Sequence, residues 1–545
     1  MTIGEKITHL RIANGISQEK LASMLNVSRQ SISKWESDES LPQIDKILEF
    51  CQLFKITTDE MLHDDVVIHR GKNLVPSIGE DIKTKYFGTD GFRGEVNKTL
   101  TADHAYKIGR FLGWFFSNPK YSLQKPGYRP KVVVGKDTRR SSYMLEYAVA
   151  AGLAASGADV YLLHVTTTPS VSYITRMDAF DCGIMITASH NPFYDNGIKV
   201  INYNGEKLED SVAVLIEAYL DGNFKKLGVD GDDLPFASRE NVGILVDYSS
   251  GRNRYIAYLI SLVRYSLKDF KIGLDCANGS SWMIAKSVFD ALGAQTHVIN
   301  NTPNGLNINL DAGSTHIEKF CKYVKDNKLD LGFAFDGDTD RCIAVDENGR
   351  EVDGDKIMYL LANKLKAEGS LQDNTVVATI MSNTGLEKAL KGIGCKLVRT
   401  KVGDRFVYEK MQQEGYTLGG EQSGHVIIKK YATTGDGILT ALMVTEEVVA
   451  RKTTLSKLVA PVKLLPQKTV NVKVTNKADT MDDAQVRAKY DECNKEIGDN
   501  GRVLLRQSGT EPVVRIMAEC ETLEECDKYI KKIYDVIKKR GYVCE

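Results

Sequence analysis

The sequence has no C-x-x-C pair, no run of 18 apolar residues and almost no net charge, 71 Lys plus Arg standing against 72 Asp plus Glu. Ten cysteines are scattered at Cys51, Cys182, Cys276, Cys321, Cys342, Cys395, Cys493, Cys520, Cys526 and Cys544, without the density of a small secreted scaffold, so they read as reduced and mostly buried thiols. The missing apolar run excludes a membrane-spanning helix, and the first turns, MTIGEKITHLRIANG, carry charges in place of a signal peptide's apolar stretch. The cytoplasm is the expected compartment, with no membrane partner. A net charge of -1 gives the chain as a whole no electrostatic case for nucleic acid, so any such partner must be met locally. Hydrophobic residues at 42% and charged residues at 26% exclude long disorder and a coiled-coil rod. What is present is length: 545 residues exceed what one hydrophobic core serves, and several domains are expected.

The first 63 residues form a separate unit. Ile3, Ile7 and Leu10 recur at helical spacing, Gly15 breaks the run, and Ser17 offers an N-cap for a second helix that carries Leu21, Met24 and Leu25 inward. Ser28 caps a third helix that buries Ile32 and Trp35 and leaves Arg29, Gln30, Ser33 and Lys34 outside. Pro42 opens a fourth helix with Ile44, Ile47, Leu48 and Cys51 inward, and a last short helix ends near Leu62. The stretch GISQEKLASMLNVSRQSISKWE resembles the lambda-repressor-like helix-turn-helix domain, which implies that Gln18, Arg29, Gln30, Ser33 and Lys34 approach DNA phosphates and base edges. From Lys6 to Lys34 five basic residues face one acid, whereas nine acids face two lysines from Glu36 to Asp65. A helical bundle used for protein contacts is the alternative.

Residues 64–84 carry mixed charge, a Gly and a Pro without periodicity and read as a linker. Three segments of alternating strands and helices follow, expected as α/β domains at 85–245, 246–345 and 346–460. Their strands include KVVVG, ADVYLLHV and DCGIMITAS, then KIGLD, LGFAFDGD and CIAVD, then TVVATIMSN, CKLVRT and TLGGEQSGHVII. Residues 461–545 read as a smaller α+β domain.

The chemistry lies in loops at strand ends. TASHNP exposes Ser189 beside His190 in a turn forced by Asn191 and Pro192, and a loop running through Asp195 to Lys199 brings a cation near that hydroxyl. The serine reads as a nucleophile, or else as an ordinary strand-end cap. DGDTDR sets Asp336, Asp338 and Asp340 at alternating positions, where their oxygens can converge on a hard cation such as Mg²⁺. It is not a helix-loop-helix calcium site, because Arg341 stands where that loop requires glycine and both flanks are strand-like. GEQSGH groups Glu421, Ser423 and His425 in a loop suited to sugar hydroxyls. RQSGTEPVVR presents Arg506, Ser508, Gly509, Thr510 and Arg515, which suit a phosphate. KYFGTDGFRG places three glycines around Arg93, allowing close backbone approach to a ligand.

Taken in order, FGTDGFRG, TASHNPFYDNGIK, DGDTDR, GEQSGH and RQSGTEP resemble the α-D-phosphohexomutases, and KYFGTDG, TKVGDRF, LGGEQSGH and TTGDGI are most similar to that superfamily's glucosamine branch; the match covers residues 85–545. The resemblance implies four domains around one cleft and interconversion of glucosamine 6-phosphate and glucosamine 1-phosphate. It implies that Ser189 is a phosphoserine, that Mg²⁺ sits among Ser189, Asp336, Asp338 and Asp340, and that Arg93, Lys199 and Arg341 offset phosphoryl charge with His190 near the proton transfers. It further implies that Glu421, Ser423 and His425 hold the sugar, that Arg506, Ser508, Gly509, Thr510 and Arg515 hold the non-transferring phosphate, that a hexosamine 1,6-bisphosphate is the activator, and that the last domain hinges closed. DNA through residues 1–63 and a second copy of the chain are the further partners to be considered. Ser142 departs from a glycine common in relatives, Phe92 from an isoleucine of the glucosamine branch, and the family as a whole lacks the first helical unit. Phosphomannomutase or phosphoglucomutase activity is the alternative among enzymes. A sugar-phosphate-sensing transcriptional regulator is the alternative outside them.

Overall fold

The structure is a computed structural model that describes residues 2–13, 16–54, 56, 58–62, 84–88, 90–118, 121, 128–507 and 513–544. The chain divides into two compact units, one of Met1–Cys342 with Tyr431–Leu442 and one of Ile343–Lys430 with Met443–Glu545.

In the first unit the amino-terminal helices are Ile3–Ala13, Gln18–Met24, Arg29–Glu36, Ile44–Phe54 and Thr58–Leu62. Ser17 and Ser28 cap the second and third as their sequence requires, each accepting from a backbone N–H three residues on. Leu21, Leu25, Ile32, Trp35, Ile47 and Phe50 share one core. Three residues expected inside it are exposed: Met24 at 44%, Ile44 at 77% and Leu48 at 47%. The buried stripe of the fourth helix is Ile47, Phe50, Cys51 and Phe54. Leu48 lies about 100° round the helix from Ile47, and Ile44 lies in the first turn, ahead of the core.

Farther along, a seven-stranded sheet runs in the order Phe87–Gly88, Gly91–Glu95, Asp195–Asn202, Cys182–Ile186, Lys131–Lys136, Asp159–Val165, Leu245–Asp247. Lys131–Lys136 carries the buried apolar run Val132, Val133 and Val134 and pairs in parallel with both neighbours, as expected of a strand covered on two faces. The helix Arg140–Ala155 follows, and Gly157 at φ +90° lets the chain reverse into the next strand. The segment from Asp195 to Lys199, expected as loop, instead opens an eight-residue strand antiparallel to Cys182–Ile186. That pairing sets Lys199 opposite Met185, near the end of the strand that leads to Ser189. Beyond it, Lys271–Asp275 lies in parallel between Gln295–Ile299 and Leu331–Phe335, and the last of these runs directly into the acidic loop.

In the second unit Thr375–Thr379 pairs in parallel with Lys396–Thr400 and Leu418–Gly420, and Val426–Ile428 closes the sheet antiparallel. The carboxyl-terminal part is an antiparallel sheet with Val513–Glu519 between Gln467–Lys473 and Arg502–Gln507, backed by helices Ala484–Ile497 and Leu523–Lys539. All ten cysteines are free thiols; Cys321 is half-buried, Cys544 exposed and the rest buried. Among the described residues no helix is long and apolar enough to cross a membrane.

Candidate active site

Ser189 opens the turn after Cys182–Ile186 with φ at +52°. The turn expected to expose it leaves it 1% exposed, because the acidic loop packs against it, Gly337 beside its carbonyl and its Oγ donating to Asp336 Oδ2 over 2.5 Å. Asp336, Asp338 and Asp340 are buried and bring carboxylate oxygens within 4.8 Å of one another. Burial and the neighbouring Asp340 and Asp338 push the Asp336 carboxyl well above the usual range. Asp338 Oδ2 accepts from Thr168 Oγ1 at 2.5 Å and Lys199 Nζ at 2.7 Å, while its buried Oδ1 has no hydrogen-bond partner. An all-oxygen set with an orphaned buried carboxylate oxygen fits a hard divalent cation.

Lys199 is the hub of the surrounding charge. Its Nζ lies 2.7 Å from Asp338, 3.3 Å from Asp340 and 3.0 Å from Asp90. Burial favours its neutral form, but those three carboxylates outweigh burial and hold it a cation. Asp90 is also bound by Arg93 and, at 3.1 Å, by Lys207; these cations overcome its burial and keep it ionised. Gly91 carries φ +87°, and a Cβ there would fall 2.5 Å from Ile198 O, so the Arg93 strand can approach the Lys199 strand only as glycine. His190 is driven down to about 4 by burial and by the cations Arg341 and Arg93, and its Nδ1 stands 3.2 Å from Arg341 Nη1. At neutral pH it is an uncharged imidazole. Arg341 also donates its backbone N–H to Asp336 Oδ1 at 3.2 Å.

Ser189, His190, Lys199, Arg93, Arg341 and the three aspartates are thus brought together in the first unit. Asp90, Thr168 and Lys207 join them without having been singled out from the sequence. Asp90 stood inside a quoted glycine-rich motif, but Thr168 gave no signal because its partner lies 170 positions away. Ser142, the departure from glycine, is buried and donates from Oγ to Asp137 Oδ1 at 2.7 Å. Phe92 is buried against Tyr86 and His104, on the opposite side of its strand from Arg93.

In the second unit Glu421 Oε1 accepts from the Gly403 N–H at 3.1 Å, Ser423 Oγ lies 3.5 Å from Glu421 Oε2, and Glu421 N–H donates to His425 O at 2.9 Å. His425 is buried, its Nε2 3.6 Å from Asp404 Oδ2. Arg506 and Arg515 are direct partners across two antiparallel strands. Like charges so placed repel unless an anion bridges them, and burial together with Arg515 lowers the Arg506 pKa from its ordinary value. Ser508, Gly509 and Thr510 lie outside the described residues.

Family models match in chain order: Helix-turn-helix at residues 7–61; then Phosphoglucomutase/phosphomannomutase alpha/beta/alpha domain I at 84–226, domain II at 253–349 and domain III at 353–464, with the C-terminal domain at 470–536. The chain is 56% identical to a phosphoglucosamine mutase of Lachnospira eligens over 84% of this chain and 99% of that protein. It is 47% identical to one of Anoxybacillus flavithermus, over 84% and 99%. Among solved structures, a phosphoglucomutase/phosphomannomutase family protein of Burkholderia thailandensis superposes with a TM-score of 0.68 at 24% identity, covering 83% of this chain and 97% of that one. An N-acetylphosphoglucosamine mutase of Aspergillus fumigatus, in complex with GlcNAc-6P and magnesium, gives 0.57 at 18% identity, covering 84% and 96%. At such identities the structures establish the fold.

Proposed function

This chain belongs to the phosphoglucosamine mutase family, and on that premise we propose that it interconverts glucosamine 6-phosphate and glucosamine 1-phosphate through a phosphoserine at Ser189 and a hexosamine 1,6-bisphosphate. The observation that carries this reading is the Ser189 hydroxyl 2.5 Å from Asp336, within a buried cluster of three carboxylates.

In the proposed reaction the bond between Ser189 Oγ and phosphorus breaks as a sugar hydroxyl oxygen bonds to that phosphorus; the sugar hydroxyl gives up its proton and Ser189 Oγ takes one up, which leaves the serine as its free hydroxyl. The bisphosphate then turns over and returns its other phosphoryl group to Ser189. A phosphoserine carries roughly two negative charges. Lys199, Arg93 and Arg341 are fixed cations around the position it takes, and in a buried site they need no reorganisation as charge spreads in the transition state. His190, kept uncharged by burial and by Arg341, is assigned a place near the proton transfers, whereas Lys199, held protonated, offsets charge. Asp336, Asp338 and Asp340 with Ser189 would hold Mg²⁺, which when bound neutralises phosphoryl charge as a Lewis acid. Glu421, Ser423 and His425 are assigned to the sugar, and Arg506, Ser508, Gly509, Thr510 and Arg515 to the phosphate not being transferred.

We assign the domains as residues 85–245, 246–345, 346–460 and 461–545, after a helix-turn-helix domain at 1–63 and a linker at 64–84, in a cytoplasmic enzyme. The exposed Arg29, Gln30, Ser33 and Lys34 support DNA contact by that first domain. Gln18 is already engaged by Glu36 at 2.7 Å, and Glu36 is also held by Arg11 at 2.9 Å. The test is turnover of glucosamine 1-phosphate, mannose 1-phosphate and glucose 1-phosphate with Mg²⁺ and a bisphosphate, beside the Ser189→Ala variant. Preferred turnover of the glucosamine sugar, lost in the variant, is expected; no turnover of any sugar overturns the reading.

A further inference from the structure

Ser189 holds a left-handed backbone, φ +52°, which a serine keeps only when its surroundings impose it. Two donors do so. Arg139 Nη2 donates to the carbonyls of Ser189 at 3.1 Å and Asn191 at 2.6 Å, and Asn309 Nδ2 donates to the same two carbonyls at 2.9 and 3.1 Å. The donors come from different parts of the chain. Arg139 follows Lys131–Lys136, a strand of the nucleophile's own sheet: it is buried in an ion pair with Asp137, whose carboxylate also accepts from Thr187 Oγ1 and Ser142 Oγ, each at 2.7 Å.

Asn309 lies in the loop after Gln295–Ile299, a strand of the sheet that carries the acidic loop. Its backbone N–H donates to Ala277 O at 2.9 Å, and the Ala277 N–H donates to Asp275 Oδ1 at 2.9 Å, at the end of the strand paired with Leu331–Phe335. The acidic loop reaches the same point from the other side. A Cβ on Gly337 would fall 2.4 Å from Ser189 O and 3.0 Å from Asn309 Nδ2. Nucleophile turn, acidic loop and Asn309 amide therefore meet with no room between them.

We propose that Asn309 is a positioning residue for phosphoryl transfer, fixing the Ser189 turn of one domain in register with Asp336, Asp338 and Asp340 of the next. This rests on the mutase reading above. Its amide N–H groups are spent on the carbonyls of Ser189 and Asn191, so it acts on the transfer step through the turn and not on substrate binding; a displacement of about 1 Å at a reacting group costs roughly a hundredfold in rate.

Asn309→Asp is the informative variant. It is isosteric, it tolerates the φ of +59° found at this position, and it removes both N–H donors. The expected result is a kcat lowered about ten- to a hundredfold with KM for glucosamine 1-phosphate within about twofold, and slower appearance of phosphorylated Ser189 by intact mass on adding the bisphosphate. Asn307→Ala is the control. It breaks bonds to Thr302 and Asn304 in the same loop without reaching Ser189, and it should leave kcat unchanged. Wild-type kcat in Asn309→Asp, or an equal loss in Asn307→Ala, overturns the proposal. Absence of turnover in the unmutated protein overturns the mutase reading instead.

Discussion

Ser189 Oγ and Asp336 Oδ2 lie 2.5 Å apart although 147 positions separate them in the chain. Ser189, the proposed nucleophile, and the first carboxylate of the acidic loop are brought together by two different sheets, and the reactivity proposed for this protein depends on that registration.

Replacing Ser189 by Ala removes the only oxygen that can carry the phosphoryl group in the proposed cycle. Turnover should fall to background, while glucosamine 6-phosphate still binds with an affinity within a fewfold of the parent, as measured by calorimetry. Residual turnover above one part in a thousand would point to another phosphoryl acceptor.

Thr168→Val deletes the hydroxyl that donates to Asp338 Oδ2 but preserves side-chain shape. The carboxylate is then oriented by Lys199 with one donor fewer, and we expect kcat to drop about tenfold with a raised Mg²⁺ requirement, read from activity against Mg²⁺ concentration. An unchanged Mg²⁺ curve would make Thr168 a packing residue.

His190 is depressed from the ordinary imidazole value to about 4 by burial, Arg341 and Arg93. Between about 4 and 6.5 the unfolded chain binds a proton that the folded chain refuses, so stability should fall as pH drops through that window. The contribution is on the order of 3 kcal/mol at most before solvent screening. Denaturant melts at pH 7 and pH 4.5 should show a smaller loss in His190→Asn than in the parent. Equal losses would place the titration elsewhere.

Asp355, in the second unit, is pushed up to about 7 by burial and by Asp353. Raised above its unfolded value, it favours folding most at low pH and loses that contribution as pH rises toward and through 7. Asp355→Asn should therefore raise the melting temperature at pH 8 by several degrees and much less at pH 5. A variant destabilised equally at both values would mean that the Asn383 N–H, donating to Asp355 at 2.7 Å, requires a carboxylate.

Arg506 and Arg515 repel across their strands, so Arg506→Ala should cost sugar-phosphate affinity, about ten- to a hundredfold in KM, without lowering the melting temperature. A loss of fold with no change in KM would assign the pair a structural role.

Much of this was written locally. The helix caps Ser17 and Ser28, the apolar run at 132–134 and the strand-end loops that hold Ser189 and the three aspartates depend on neighbours a few residues away, and periodicity and turn chemistry are local properties. The orientation of Ile44 and Leu48 was not legible, because their helix could offer its apolar side to a core or to solvent until its partners were in place. Nor was the strand beginning at Asp195, whose polar start reads as loop and becomes strand by pairing with Gly91–Glu95 and Cys182–Ile186. The contacts that make the residues a site are longer still: Lys199 to Asp338 across 139 positions, Thr168 to Asp338 across 170, Asn309 to Ser189 across 120. The sequence determined which chemical groups stand at the ends of strands. Which of those ends meet was decided by the order of strands in the sheets and the packing between them, since hydrogen bonds and ion pairs act over a few ångströms and carry no memory of separation along the chain.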